Sequence, residues 1–145
     1  MSGAPLPREQ ILVLLNDYLK NEIKHMRFYL YHASAVTGLH HTEYKEMFLE
    51  EAASEMKHVT AFSDVIFGLG GVPTKESNDF ECFTDPYDIV KYAIKMEEEV
   101  VANYVNLMNN AGGLGMVDGR WLEIFLEGQI QDSREDIDRF KRIFD

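Results

Sequence analysis

Apolar residues recur at the 4-3 spacing of an α-helix along four long stretches, separated by breaks rich in glycine, proline and asparagine. The first stretch opens at Pro7, which suits the first helical position, and runs to about residue 37, where Gly38 offers a left-handed cap. The second covers about 42–69, from Thr42 as N-cap to the Gly70-Gly71 pair. Asp85-Pro86 supplies an N-cap and first-turn proline for the third, about 86–110. After the loop Ala111-Gly-Gly-Leu-Gly-Met-Val, Asp118 caps the fourth, about 119–144. Neither a strand pattern nor an internal repeat appears, so the expectation is an all-α four-helix bundle in a single domain, 1–145. The linker 70–84 would reach about 50 Å at ~3.3 Å per residue, enough for a long crossover between the second and third helices.

The seams of these helices break their own apolar rule. On the second, the stripe is Tyr44, Phe48, Glu51, Glu55, His58, Phe62, Val65 and Leu69, apolar at both ends and polar in the middle. On the third, Glu97 interrupts Val90, Ile94, Val101, Tyr104 and Met108. On the first, Glu22 lies between Leu15 and Met26; on the fourth, Ser133 and Asp136 interrupt a stripe from Leu122 to Phe144. All these interruptions fall near helix midpoints, which side-by-side helices bring to one level whichever way they run. Buried carboxylates without partners cost several kcal/mol or take up protons. Arg134, beside Ser133, is the one basic residue at these seams, so a bound dication is the expected counter-charge.

Composition narrows the chemistry. In 145 residues, 25 acids against 14 Lys and Arg leave a net charge of −11, which disfavours nucleic acid and anionic membranes and favours cations. Cys82 stands alone, so a disulfide framework, a zinc ribbon and a C-x-x-C site are excluded, and a reducing compartment is the default. No run of eighteen apolar residues would span a membrane, and Met1–Pro7 has no signal-peptide character. The expectation is a cytoplasmic protein. An oxygen-rich donor set with an imidazole suits iron or manganese better than zinc. Glu55-Met-Lys-His58 places a carboxylate and an imidazole at i and i+3 on one helical face, able to reach the same metal.

Three segments carry a family resemblance: Asn21-Glu-Ile-Lys-His-Met-Arg-Phe-Tyr-Leu-Tyr-His-Ala, Glu55-Met-Lys-His58, and Met96-Glu-Glu-Glu-Val-Val-Ala-Asn-Tyr104. Over most of its length the chain resembles the ferritin-like superfamily, closest to bacterioferritins and Dps-like di-iron carboxylate proteins. The resemblance implies iron ligands at Glu22, Glu55, His58 and Glu97, with Tyr29 seven residues after the first. It also implies ferroxidase chemistry, Fe(II) being oxidised by dioxygen or peroxide, and a homo-oligomer, at least a dimer. Met56 falls where bacterioferritins supply the axial methionine of a haem shared across a dimer, which makes haem a secondary expectation.

The fourth helix departs from the pattern. Aligning Ile137-Asp-Arg-Phe140 on the family's Ile-Asp-Trp-Leu places Ser133 and Asp136 where bacterioferritins carry a second Glu-x-x-His. The resemblance therefore implies one iron position of ordinary strength (Glu22, Glu55, His58) and a weaker one (Glu55, Glu97, Asp136). No fifth helix follows the last seam residue, and the linker lacks the short helix of the twelve-subunit starvation proteins. His25, His32, His40 and His41 read as surface or supporting residues, and Glu51 as a solvated edge or part of an iron entry route. Two rivals accompany the ferroxidase reading: a di-iron peroxidase that stores no mineral, and a structural bundle that has lost the metal.

Overall fold

The computed structural model describes residues 6–144. It contains four long helices: α1 (Arg8–Ala35), α2 (His41–Gly68), α3 (Pro86–Met108) and α4 (Met116–Lys141). A short 3-10 turn, Ala111–Leu114, precedes α4. Among the described residues there is no strand, so the fold is all-α as the periodicity predicts.

The helix ends follow from local chemistry. At α3, the Asp85 carboxylate accepts the Tyr87 N–H at 2.8 Å, and Pro86 occupies the first turn. At the end of α2, Gly70 takes φ +88 while Gly71 N–H donates to the Ile66 carbonyl at 2.9 Å, a left-handed stop that glycine adopts without steric cost. Gly38 is also left-handed, with φ +104, but α1 stops earlier, at Ala35. The reason is tertiary: Thr37 N–H is taken by the Thr84 carbonyl at 2.9 Å, which pulls the chain out of the helix. Pro7 lies just outside α1 in an extended conformation. Two N-terminal expectations also shift. Thr42 lies inside α2, behind His40, and α4 starts at Met116, so that Asp118 sits in its first turn and bonds Arg8 at 2.8 Å.

Arg8 also donates to the Leu69 carbonyl at 3.0 Å, which ties the starts of α1 and α4 and the end of α2 together. From there the chain between α2 and α3 climbs the whole length of α1. Thr74 N–H bonds the Asn16 side chain at 2.8 Å, and Asn78 bonds the Asn21 side chain at 2.7 Å. Higher up, Phe80 packs edge-on against Phe28, and Phe83 N–H donates to His32 Nε2 at 3.1 Å. Thus α1 and α4 run one way and α2 and α3 the other, a bundle with one long crossover.

Two apolar clusters hold the bundle. Near the Arg8 end, Leu15, Leu19, Phe62, Ile66, Leu107 and Leu126 are fully buried. Near the Thr37 end, Phe28, Tyr29, Phe48, Ile89, Ala93 and Phe140 form the second. At ~1.5–3 kcal/mol for each large apolar side chain buried, these clusters carry the stability of the fold. Between them lies a layer that is not apolar at all.

Candidate metal centre

The layer is made of Glu22 and His25 from α1, Glu51, Glu55 and His58 from α2, Glu97 from α3, and Ser133 and Asp136 from α4. None is more than 9% exposed. Each helix contributes because its midpoint meets the other three there. The sequence-predicted set Glu22, Glu55, His58, Glu97 and Asp136 is thus brought to one level. Met56 is not, being 57% exposed on the outer surface of α2.

Two groups of potential ligand atoms, each spanning no more than 4.8 Å, occur within the layer: Glu22, His25 and Glu55, and Glu55, Glu97 and Asp136. Glu55 belongs to both, the placement a bridging carboxylate requires. His58 stands beside the first group. Its Nδ1 is 3.2 Å from Glu55 Oε2 and 3.7 Å from Glu22 Oε2. The two tyrosines of the seam are in place as supports. Tyr29 hydroxyl donates to Glu97 Oε1 at 3.3 Å, and Tyr104 hydroxyl donates to Glu22 Oε1. Each holds one oxygen of its carboxylate and leaves the other free to turn.

Without a metal, the layer distributes charge by sharing protons. Burial pushes Glu55 well above the usual carboxylate range, and repulsion from Glu22 and Glu97 adds to it. Glu97 rises to about 8, through burial and then the charges of Glu22 and Asp136. Asp136 rises to about 6, mainly through burial. Burial would raise Glu22 too, but the positive His58 and the proton-bearing Glu55 beside it outweigh burial and hold it at about 2. Burial likewise opposes the charge on His58, yet Glu22 and Asp132 raise it to about 9. Glu55 is nearer to His58 than Glu22 is, but Glu55 holds a proton, so the charge pairing is between the imidazolium and Glu22. Burial keeps His25 neutral, at about 4.

Three buried polar atoms of this layer have no hydrogen-bond partner: Glu22 Oε2, His25 Nδ1 and Glu51 Oε2. An orphaned buried polar atom costs about 1–3 kcal/mol, more when charged. These atoms are oxygen and imidazole donors, the chemistry that iron and manganese accept, so the residues fit a divalent metal pair.

Three features escape the periodic reading. His25 and His32 are buried, not superficial, because a bundle helix meets two neighbours and buries a wider arc than one 4-3 stripe. The Glu-x-x-His spacing of Glu22 and His25 is the available signal. Glu51 is buried rather than a solvated edge, and Arg139 from α4 pairs with it and with Asp136 Oδ1, the latter at 2.8 Å. The layer therefore has a basic counter-ion that the seam spacing does not show; it follows Asp136 by three residues. Asp132, one turn before Asp136, accepts from His58 Nε2 at 3.3 Å. It lines a cleft of about 330 Å³ between α2 and α4, together with Ser54, Lys57, His58, Glu135 and Asp136. His58 connects the cleft to the layer.

A bundle with one long crossover and a mid-plane layer of glutamates and Glu-x-x-His imidazole defines the ferritin-like class. Residues 12–145 match the ferritin-like domain family, and the chain belongs to that family. A ferritin-like, diiron-carboxylate protein from Bacillus anthracis str. Ames shares 25% identity with it, over 95% of this chain and 97% of that chain, at a TM-score of 0.86. A Dps protein from Bacillus brevis superposes equally well (TM-score 0.86, 95% and 97% covered) at 14% identity. A bacterioferritin from Rhodobacter capsulatus, solved with a metal-free dinuclear site and haem iron, gives a TM-score of 0.82 at 17% identity, over 98% of this chain and 85% of that one. The last two show the shared fold alone. Comparison with curated protein sequences finds no significant match. No helix among the described residues is long and apolar enough to cross a membrane.

Proposed function

We propose that this chain binds iron in its polar layer and oxidises Fe(II) with dioxygen or peroxide, in the service of iron storage or detoxification. The observation that carries the reading is Glu55, buried and common to two adjoining groups of potential ligands, beside the unpartnered Glu22 Oε2. The diiron-carboxylate protein of Bacillus anthracis supports it as a relative of similar length. Glu22, Glu55 and His58 would hold one iron, and Glu55, Glu97 and Asp136 the other. Bound iron supplies a one-electron couple and a place for the oxidant to bind. The protein's own part is positioning and proton management. Tyr104 and Tyr29 fix one oxygen each of Glu22 and Glu97. Protons on Glu55 and Glu97 would leave on cation binding, and the His58–Asp132 contact would offer them a route to the cleft. The whole chain, 1–145, acts as one ferritin-like domain, in a cytoplasmic homo-oligomer. Met56 would serve a haem only on an outer face shared with a second copy, and no step of the oxidation depends on it.

The test is an anaerobic Fe(II) titration of metal-free protein, followed by air and the near-ultraviolet absorbance of Fe(III), with Glu55→Ala alongside. About two irons per chain and fast oxidation lost in the variant are expected. Saturation near one would mean that Asp136 does not complete the second position. Absence of specific binding would leave the structural bundle, whose counter-ion Arg139 already supplies.

A further inference from the structure

Every histidine buried in this bundle except one has both ring nitrogens accounted for, and the exception points into the acidic layer. His32 donates from Nδ1 to the Phe28 carbonyl at 2.8 Å and accepts Phe83 N–H at Nε2, a satisfied core imidazole. His58 is shared between Glu55 and Asp132. His25 is 2% exposed, and its Nδ1 has no hydrogen-bond partner. The nearest carboxylate oxygen in ion-pairing range, Glu97 Oε1, is 3.6 Å away, too far for a hydrogen bond.

We infer that His25 is a metal ligand of this chain, bringing to the layer from α1 the second imidazole that α4 does not provide. Resting on the metal-site reading above, the inference adds a residue that the resemblance does not assign. Glu22-Ile-Lys-His25 repeats on α1 the spacing of Glu55-Met-Lys-His58 on α2. The two helices are antiparallel neighbours, so two Glu-x-x-His pairs face one another across the layer. A His25 nitrogen lies within 4.8 Å of ligand oxygens of both Glu22 and Glu55. A cation there would accept the lone pair that no protein donor meets. With a serine and an aspartate on α4, the donor set keeps two imidazoles by moving one of them to a different helix. Two nitrogens also tilt the site toward Fe(II) and Co(II) relative to Mn(II).

Cobalt(II) is a suitable probe, because its unpaired electrons shift the ring N–H signals of a ligated histidine far outside the ordinary proton NMR range. The Co(II)-loaded wild-type protein should show two such signals that vanish in D2O. His25→Gln should remove one, and His58→Gln the other. His25→Gln should also weaken Co(II) binding by at least about tenfold. One signal in the wild type, lost in His58→Gln and untouched by His25→Gln, would overturn the inference while leaving the metal site standing. No Co(II) or Fe(II) binding at all would overturn the metal-site reading itself. Should His25→Gln fail to fold, the wild-type signal count alone decides between two imidazoles and one.

Discussion

Replacing Glu55 by glutamine should make the metal-free protein more stable while abolishing its use of metal. Glu55 is 1% exposed, between Glu22, Glu97 and Asp136, and its carboxyl is forced to hold a proton in the folded state. In the unfolded chain the same carboxyl titrates near its ordinary value of 4.5. Folding at pH 7 must therefore take up a proton, at a cost of at most about 3 kcal/mol, set by the interval between the unfolded value and pH 7 at ~1.36 kcal/mol per unit. A glutamine side chain in its place would have the shape of the protonated acid and bear none of that cost. The sign is fixed by linkage. A carboxyl whose folded pKa is raised loses stability as pH rises from its unfolded value toward its folded one. The advantage of Glu55→Gln should then be smallest at pH 5, under about 1 kcal/mol, and grow toward pH 7 by at most about 1.4 kcal/mol per unit. Urea unfolding of chelator-treated wild type and variant at pH 5, 6 and 7 reads this directly. At about 2–4 °C per kcal/mol, the melting temperature of the variant should rise at pH 7, by no more than roughly 6–12 °C. A variant less stable than wild type, with a pH-independent difference, would refute the reasoning: Glu55 would then be an ionised partner of His58.

Arg139→Leu removes the guanidinium that pairs Glu51 and Asp136, so two carboxylates lose their counter-ion. The metal-free protein should lose about 1–3 kcal/mol, and the second Co(II) should bind more tightly in a calorimetric titration. Unchanged binding of the second ion would mean that Asp136 does not reach it. Asp132→Asn removes a charge from the cleft that leads to His58. Stopped-flow uptake of Fe(II) should slow, and lose part of its salt dependence, with the same final stoichiometry. Tyr104→Phe frees Glu22 Oε1; it should cost about 1–2 kcal/mol of stability and slow oxidation more than it weakens binding, as single-turnover absorbance would show.

The fold is legible in the sequence because its signals are redundant. Four periodic stretches, an Asp-Pro helix start and a double-glycine stop all point to four helices, and only tertiary contacts such as Thr37 with Thr84 move the ends by a few residues. The carboxylates are legible for the opposite reason: Glu22, Glu55 and Glu97 contradict the stripes they occupy. His25 is missed because it obeys no single stripe. It lies on the side of α1 that faces α3, where Ala93 and Val100 likewise replace the expected Ile94 and Val101 as the fully buried residues. Arg139 and Asp132 are hidden because both are mostly solvent-facing positions, whose side chains act by reaching back over the rim. Reach is a property of rotamers and neighbours, and spacing along one helix does not contain it.

The position of the layer explains how the chain tolerates so much buried charge. Were the acids spread along the seams, every turn of the bundle would carry a defect, and no continuous apolar core would remain. Gathered at one level, they leave an intact cluster on either side, each spanning all four helices or their caps. The clusters fix the helices, and the helices fix the carboxylates; the carboxylates cannot relax by moving apart without unpacking Phe62 or Phe48, both fully buried. Protonation of Glu55 and Glu97 is then the only inexpensive response left to the metal-free protein. That same constraint makes the layer receptive. A site that cannot disperse its charge gains most from a cation, because binding restores the ionised forms without the cost of rearranging the bundle.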